Sequence, residues 1–157
     1  MMALHTNKDS AHIMHLIRKN TIGAEIGVWM GNTSTQFLKK GLKKFYMVDP
    51  YSVEPYKNSS EMTYQEWLAK YQPITGEIAE AGFQKFYERV WKEIKSRFEH
   101  MNEVELCRET SDSFFERYLA SKGHGNFEML DWIYIDGNHS YEPVSYTHPT
   151  LPTRLMV

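Results

Sequence analysis

At 157 residues the chain has room for one domain and a sizeable core. Its 18 Lys+Arg against 20 Asp+Glu leave a formal net charge of −2 with no basic run to follow a nucleic acid, and no apolar stretch reaches membrane length, so the chain reads as cytoplasmic, with no nucleic-acid and no membrane partner. The single cysteine, Cys107 in "VELC", cannot form an intramolecular disulfide or a cysteine zinc site and reads as a core thiol.

In chain order, Ser10 is placed as N-cap of a short helix over 10–20 with Ile13, Leu16 and Ile17 on one face. A first strand is expected over 23–28, inside "GAEIGVWMGNTS". Thr33 and Ser34 then open a helix with Phe37, Leu38 and Leu42 inward and Gly41 at its close. "KFYMVDP" is a second strand stopped by Asp49-Pro50. A long insertion, about 52–100, follows. Its second half repeats Phe83, Phe86, Tyr87, Val90, Trp91, Ile94, Phe98 and Met101 at helical spacing, as a crossover helix packed on a sheet would. Its first half is rich in Tyr and polar residues with weak periodicity, which suits a lid, an acceptor-binding segment or a surface loop. "NEVELCR" is a third strand, "SDSFFERYLASKG" a helix with Ser111 or Asp112 as N-cap, and "LDWIYIDG" a fourth strand. Nearly continuous apolar strands alternating with helices imply an α/β fold, a doubly wound and mostly parallel sheet. With right-handed crossovers in the order 3-2-1-4, the ligand crevice lies between strands one and four.

The segment past strand one lacks the third glycine of a dinucleotide fingerprint and carries bulky Trp29 and Met30 between Gly27 and Gly31. The pattern is instead Glu25-x-Gly27-x-x-x-Gly31-x-Thr33, with a second acid, Asp49, ending strand two. Two acids around a mouth with no lysine, arginine or P-loop suit a ligand with cationic groups and a free ribose, and S-adenosylmethionine has a sulfonium, an ammonium and ribose hydroxyls. Plainer roles stand beside these: Glu25 in a strand-end salt bridge, Asp49 as a strand terminator, and "DGNH" as turn chemistry. His12 and His15 lack a third ligand and read as surface residues.

"AEIGVWMGNTS", "FYMVDPY", "RETSDSFF" and "LDWIYIDGNHSYEPV" resemble the class I S-adenosylmethionine-dependent methyltransferases, in particular the group whose fourth strand ends in D-G-x-H-x-Y. The resemblance spans about residues 20–144. It implies a Rossmann-like methyltransferase domain over 1–144 in which Glu25, Gly27 and Gly31 shape the methionine end of the cofactor pocket, joined by Trp29 and Thr33 of the same turn. Asp49 takes the ribose hydroxyls, and Ser111 and Asp112 lie near the adenine. Asp136 faces the methionine moiety or the transferring methyl, with His139 as the catalytic base; Asp136 could also ligate Mg²⁺. The implied activity is O-methylation of a small molecule, sugar or secondary metabolite acting as methyl acceptor. The alternatives are a non-catalytic cofactor-binding remnant and a nucleotide- or NAD-binding α/β protein.

The resemblance stops at "VSYTHPTLPTRLMV", where Pro149 and Pro152 break any regular element. Residues 145–157 resemble translated adaptor sequence and read as an irregular, non-native tail that packs little. The fold is then expected to be incomplete after the fourth strand, leaving an edge open to self-association and a chain with no measurable methyl transfer.

Overall fold

A computed structural model describes residues 13–57, 63–76, 80–123 and 127–136. Its frame is a four-stranded sheet built from β1 (Ile22–Ile26), β2 (Lys44–Val48), β3 (Val104–Cys107) and β4 (Trp132–Ile135). All three pairings are parallel and the spatial order is β3-β2-β1-β4, the order assumed in placing the crevice. The reversal of strand order puts β1 and β4 side by side with Glu25 opposite Tyr134 and Ile26 opposite Ile135. The carboxyl ends of these strands therefore form the mouth.

The strands are apolar throughout because both faces are covered, and the period of two decides which residue faces which layer. Ile22, Ala24, Ile26, Tyr46, Val48 and Ile133 pack with Phe114, Phe115 and Tyr118 of α5 (Ser111–Ala120). Phe45, Met47, Trp132 and Tyr134 face the opposite layer, formed by α1 (Asn32–Leu38) and α4 (Glu80–Phe98). Phe83, Phe86, Tyr87, Val90, Ile94 and Phe98 are the buried stripe of α4, as its spacing predicts; Trp91 and Met101 are half-buried at its margin. Gly23 is required by this layer, since a Cβ there would stand 2.1 Å from the Trp132 ring. Cys107 is buried, and burial pushes its thiol up to about 12, in keeping with a core thiol.

Two elements differ from expectation. The described part of the 10–20 helix, residues 13–20, is a turn closed by the Leu16 N–H donating to the Ile13 carbonyl at 2.9 Å, not a helix. Ile13 and Ile17 are buried but Leu16 is 43% exposed, so a short segment satisfies its two anchors without the cost of nucleating a helix. The first half of the insertion, by contrast, is largely helical. It comprises a single turn, α2 (Glu54–Lys57), and α3 (Tyr64–Thr75), which opens on a capping box between Thr63 and Glu66 and closes on Gly76. Trp67 of α3 is buried among Tyr56, Tyr64, Tyr71 and Phe83, which makes this segment part of the core. No described helix is long and apolar enough to cross a membrane.

Candidate active site

Glu25 is the fourth residue of β1 and points out of the α5 layer toward the first turn of α1. It is 1% exposed, and the Ser34 hydroxyl donates to its Oε2. Burial pushes its carboxyl from 4.5 up to about 8; the Ser34 hydrogen bond opposes that shift, and the nearby Asp136 and Asp49 charges add to it.

The chain leaves β1 through a turn with three residues in the left-handed region, Gly27 (φ 90), Trp29 (φ 50) and Gly31 (φ 70). The Gly31 N–H donates to the Val28 carbonyl at 2.9 Å. A Cβ at Gly31 would lie 2.8 Å from Ile94 Cδ1 and 3.0 Å from Phe98 Cε2, so this glycine admits the close approach of α4. Trp29 tolerates its unusual backbone because it is held from three directions. Its N–H donates to Asp49 Oδ2 at 2.9 Å, its carbonyl accepts the Tyr51 hydroxyl at 3.1 Å, and its ring packs 5.5–6.1 Å from those of Tyr71, Phe86 and Tyr87.

Asp49 sits just beyond β2, 8% exposed. Its Oδ1 accepts the Tyr51 N–H at 2.8 Å, an Asx turn across Pro50, while Oδ2 holds Trp29. Burial raises its carboxyl, against the backbone hydrogen bonds of Trp29, Tyr51 and Val28. The second acid of the sequence pattern thus braces the turn after the first. Asp136 follows β4 directly; its N–H donates to the Ile26 carbonyl at 2.8 Å and its Oδ2 accepts the Tyr134 hydroxyl at 3.4 Å. Three carboxyls from the ends of three adjacent strands, Glu25, Asp49 and Asp136, occupy one electrostatic neighbourhood.

Of the other expected site residues, Thr33 is buried in α1 beside Ser34, Ser111 is the half-buried first residue of α5, and Asp112 is exposed. Neither Ser111 nor Asp112 is the N-cap. Thr110 has the extended backbone a cap requires (φ −71, ψ 161), and its hydroxyl accepts the Ser113 N–H at 3.3 Å. His139 and the 145–157 tail lie outside the described residues. Among the described residues no group of three or more His, Cys, Asp or Glu side chains is placed to hold a metal ion, so a metal role for Asp136 and a need for Mg²⁺ find no support.

The mouth is also less free of basic residues than its flanking sequence suggests. Arg97 of α4 donates to the Met30 carbonyl at 2.7 Å, and Arg108, just past β3, donates to the Tyr51 carbonyl at 3.4 Å while pairing with Glu88. Both guanidiniums donate to backbone carbonyls of the turns after β1 and β2. Ser34, Tyr51, Arg97 and Arg108 are the site's supports that sequence reasoning missed. Only Tyr51 had a signal, the Asp-Pro-x turn.

A family model described as a methyltransferase domain matches residues 24–156, most of the chain and all of the mouth. A comparison with curated proteins finds no match. The matched segment begins on β1 and carries the glycine turn, the acid after β2 and the acid after β4 on a parallel sheet ordered β3-β2-β1-β4. The chain belongs to this methyltransferase-domain family and is a class I S-adenosylmethionine-dependent methyltransferase.

Proposed function

We propose that the enzyme methylates a hydroxyl of a small molecule, such as a sugar or secondary metabolite, and that it holds S-adenosylmethionine across the carboxyl ends of β1, β2 and β4. The observation that carries the reading is the character of the three acids. Among the described residues, the buried Glu25 carboxyl accepts from the neutral Ser34 and stands near the acidic Asp136 and Asp49. A ligand bringing an ammonium and a sulfonium suits a mouth edged by acids, so the donor set fits this cofactor.

In this reading Glu25 receives the methionine ammonium, with Gly27, Trp29, Gly31 and Thr33 along the same end. Asp49 uses the lone pairs left beyond its backbone donors for the ribose hydroxyls. Ser111 and Asp112 border the adenine. Bound here, the cofactor supplies an electrophilic methyl group. The chain's own part is to present the acceptor oxygen in line at about 3–3.5 Å and to remove its proton. Asp136 faces the transfer point, and His139, three residues on, is the base.

Thermal shift with S-adenosylmethionine, S-adenosylhomocysteine, NAD and ATP tests the cofactor assignment: the first two should stabilise the chain and the last two should not. Stabilisation by NAD or ATP alone would overturn it. Candidate hydroxyl acceptors are then screened by mass spectrometry for the gain of one methyl, and methyl appearing only on nitrogen or sulfur would overturn the O-transfer reading.

A further inference from the structure

Arg97 stands on the last turn of α4, 66 positions from Gly31 in sequence, yet its donors converge on the glycine turn. Nη1 donates to the Met30 carbonyl at 2.7 Å; Nη2 donates to Thr35 Oγ1 at 3.0 Å and to the Gly31 carbonyl at 3.4 Å. Thr35 Oγ1 itself donates to the Gly31 carbonyl at 2.9 Å, which closes a ring of hydrogen bonds around the junction of turn and helix. The guanidinium lies over the Phe98 ring, 4.7 Å from its centroid. Its carboxylate neighbour, Glu93 at 3.7 Å, is 66% exposed and holds it weakly.

Gly31 is the N-cap of α1 and has no side chain with which to cap it. The Met30 carbonyl takes its side-chain bond from Arg97, while the Gly31 carbonyl, which already accepts the Thr35 N–H at 3.2 Å and the Thr35 hydroxyl at 2.9 Å, receives the long second branch of the fork. A guanidinium fork supplies both bonds at once, which a lysine cannot. The hydrogen bonds of Arg97 go to the backbone of the turn and to Thr35, so it acts on the turn rather than on the acids.

We propose that Arg97 is a positioning residue for methyl transfer: by holding the Met30 and Gly31 carbonyls from α4, it fixes the glycine turn over Glu25 and Asp49 without touching the cofactor. The proposal rests on the reading that this turn binds S-adenosylmethionine. It also ties the crossover helix of the insertion to cofactor affinity.

The test compares the full chain with Arg97→Met and Arg97→Lys by calorimetric titration of S-adenosylhomocysteine, by amide hydrogen exchange and by urea unfolding. Arg97→Met should raise Kd about tenfold, because a turn no longer held must be ordered when the cofactor binds. It should also speed exchange at the Gly31 and Thr35 amides, while exchange within α4 and the urea midpoint stay near wild type. Arg97→Lys should recover part of the affinity, since an ammonium can reach one carbonyl but not the pair. Wild-type Kd and wild-type exchange in Arg97→Met overturn the proposal, as does a loss of affinity matched by an equal loss of global stability. Should Arg97→Met fail to fold, a folded Arg97→Lys with wild-type Kd and exchange overturns it instead. A wild-type chain that ignores S-adenosylhomocysteine overturns the cofactor reading, and the exchange comparison alone then decides whether Arg97 holds the turn.

Discussion

Asp49 performs two tasks with one carboxylate, and the two separate experimentally. Its oxygens already hold the Trp29 and Tyr51 N–H groups at 2.9 and 2.8 Å, which keeps two residues with positive φ in place (Trp29 at 50, Tyr51 at 46). A carboxylate has about four acceptor sites, so room is left for ribose hydroxyls. Asp49→Ala is therefore expected to lower the melting temperature and to weaken S-adenosylhomocysteine binding by about 1–3 kcal/mol, measured by calorimetry. A lowered melting temperature with unchanged affinity would keep the brace and remove the ribose role. The acids of the site were legible in the sequence because a carboxylate inside or just past an apolar strand is conspicuous. Ser34 and Arg97 were not, because a hydroxyl in a first helical turn and an arginine late in an amphipathic helix look like ordinary surface residues until the fold brings them to Glu25 and Met30.

Among the elements, the strands and α4 were readable because their burial patterns are strong and local. The helix α3 was not read, although Thr63-x-x-Glu66 is a capping-box signature and Tyr64, Trp67 and Tyr71 follow at helical spacing. Polar neighbours diluted that stripe, and aromatic rings that pack mainly on one another leave a weak signal. The N-terminal segment erred the other way: Ile13, Leu16 and Ile17 have helical spacing, but burial of two isoleucines is satisfied by a turn. Trp67 is the keystone of α3, 3% exposed and stacked on Tyr56 with ring centroids 4.5 Å apart. Trp67→Ala is expected to cost about 3–5 kcal/mol in urea unfolding, the range for emptying a large aromatic site. Since Phe83 of α4 packs on the same ring at 5.0 Å, the loss should register as global destabilisation. A change below about 1 kcal/mol would show that α3 packs independently of the core.

For the whole molecule, the buried acids tie stability to pH in a direction that follows from their shifts. Glu25 ordinarily titrates near 4.5 and is pushed up to about 8, so the folded chain keeps a proton that the unfolded chain releases between those values. The stability this contributes is fully present below about 4.5 and is lost as pH rises through about 8. Asp49 is raised in the same sense by burial. Each such group lowers the unfolding free energy by at most about 1.4 kcal/mol per pH unit. Among the described residues the other shifted groups stay quiet between about pH 5 and 8.5. Glu66 and Glu88 are lowered from 4.5 and change only in acid, whereas Lys44, the buried tyrosines and Cys107 are raised from values of 9.0 or more. The unfolding free energy in urea should accordingly fall from about pH 5 to about pH 8.5. Glu25→Gln keeps the shape, can still accept from Ser34 and has no proton to lose, so it should remove the Glu25 share of that fall and be more stable than wild type at the upper end. The substitution removes one ionisable group, so the difference between the two curves reports on Glu25. Parallel curves would mean that Glu25 is ionised throughout, and the view of the mouth as a buried acidic site awaiting a cation would then have to be given up.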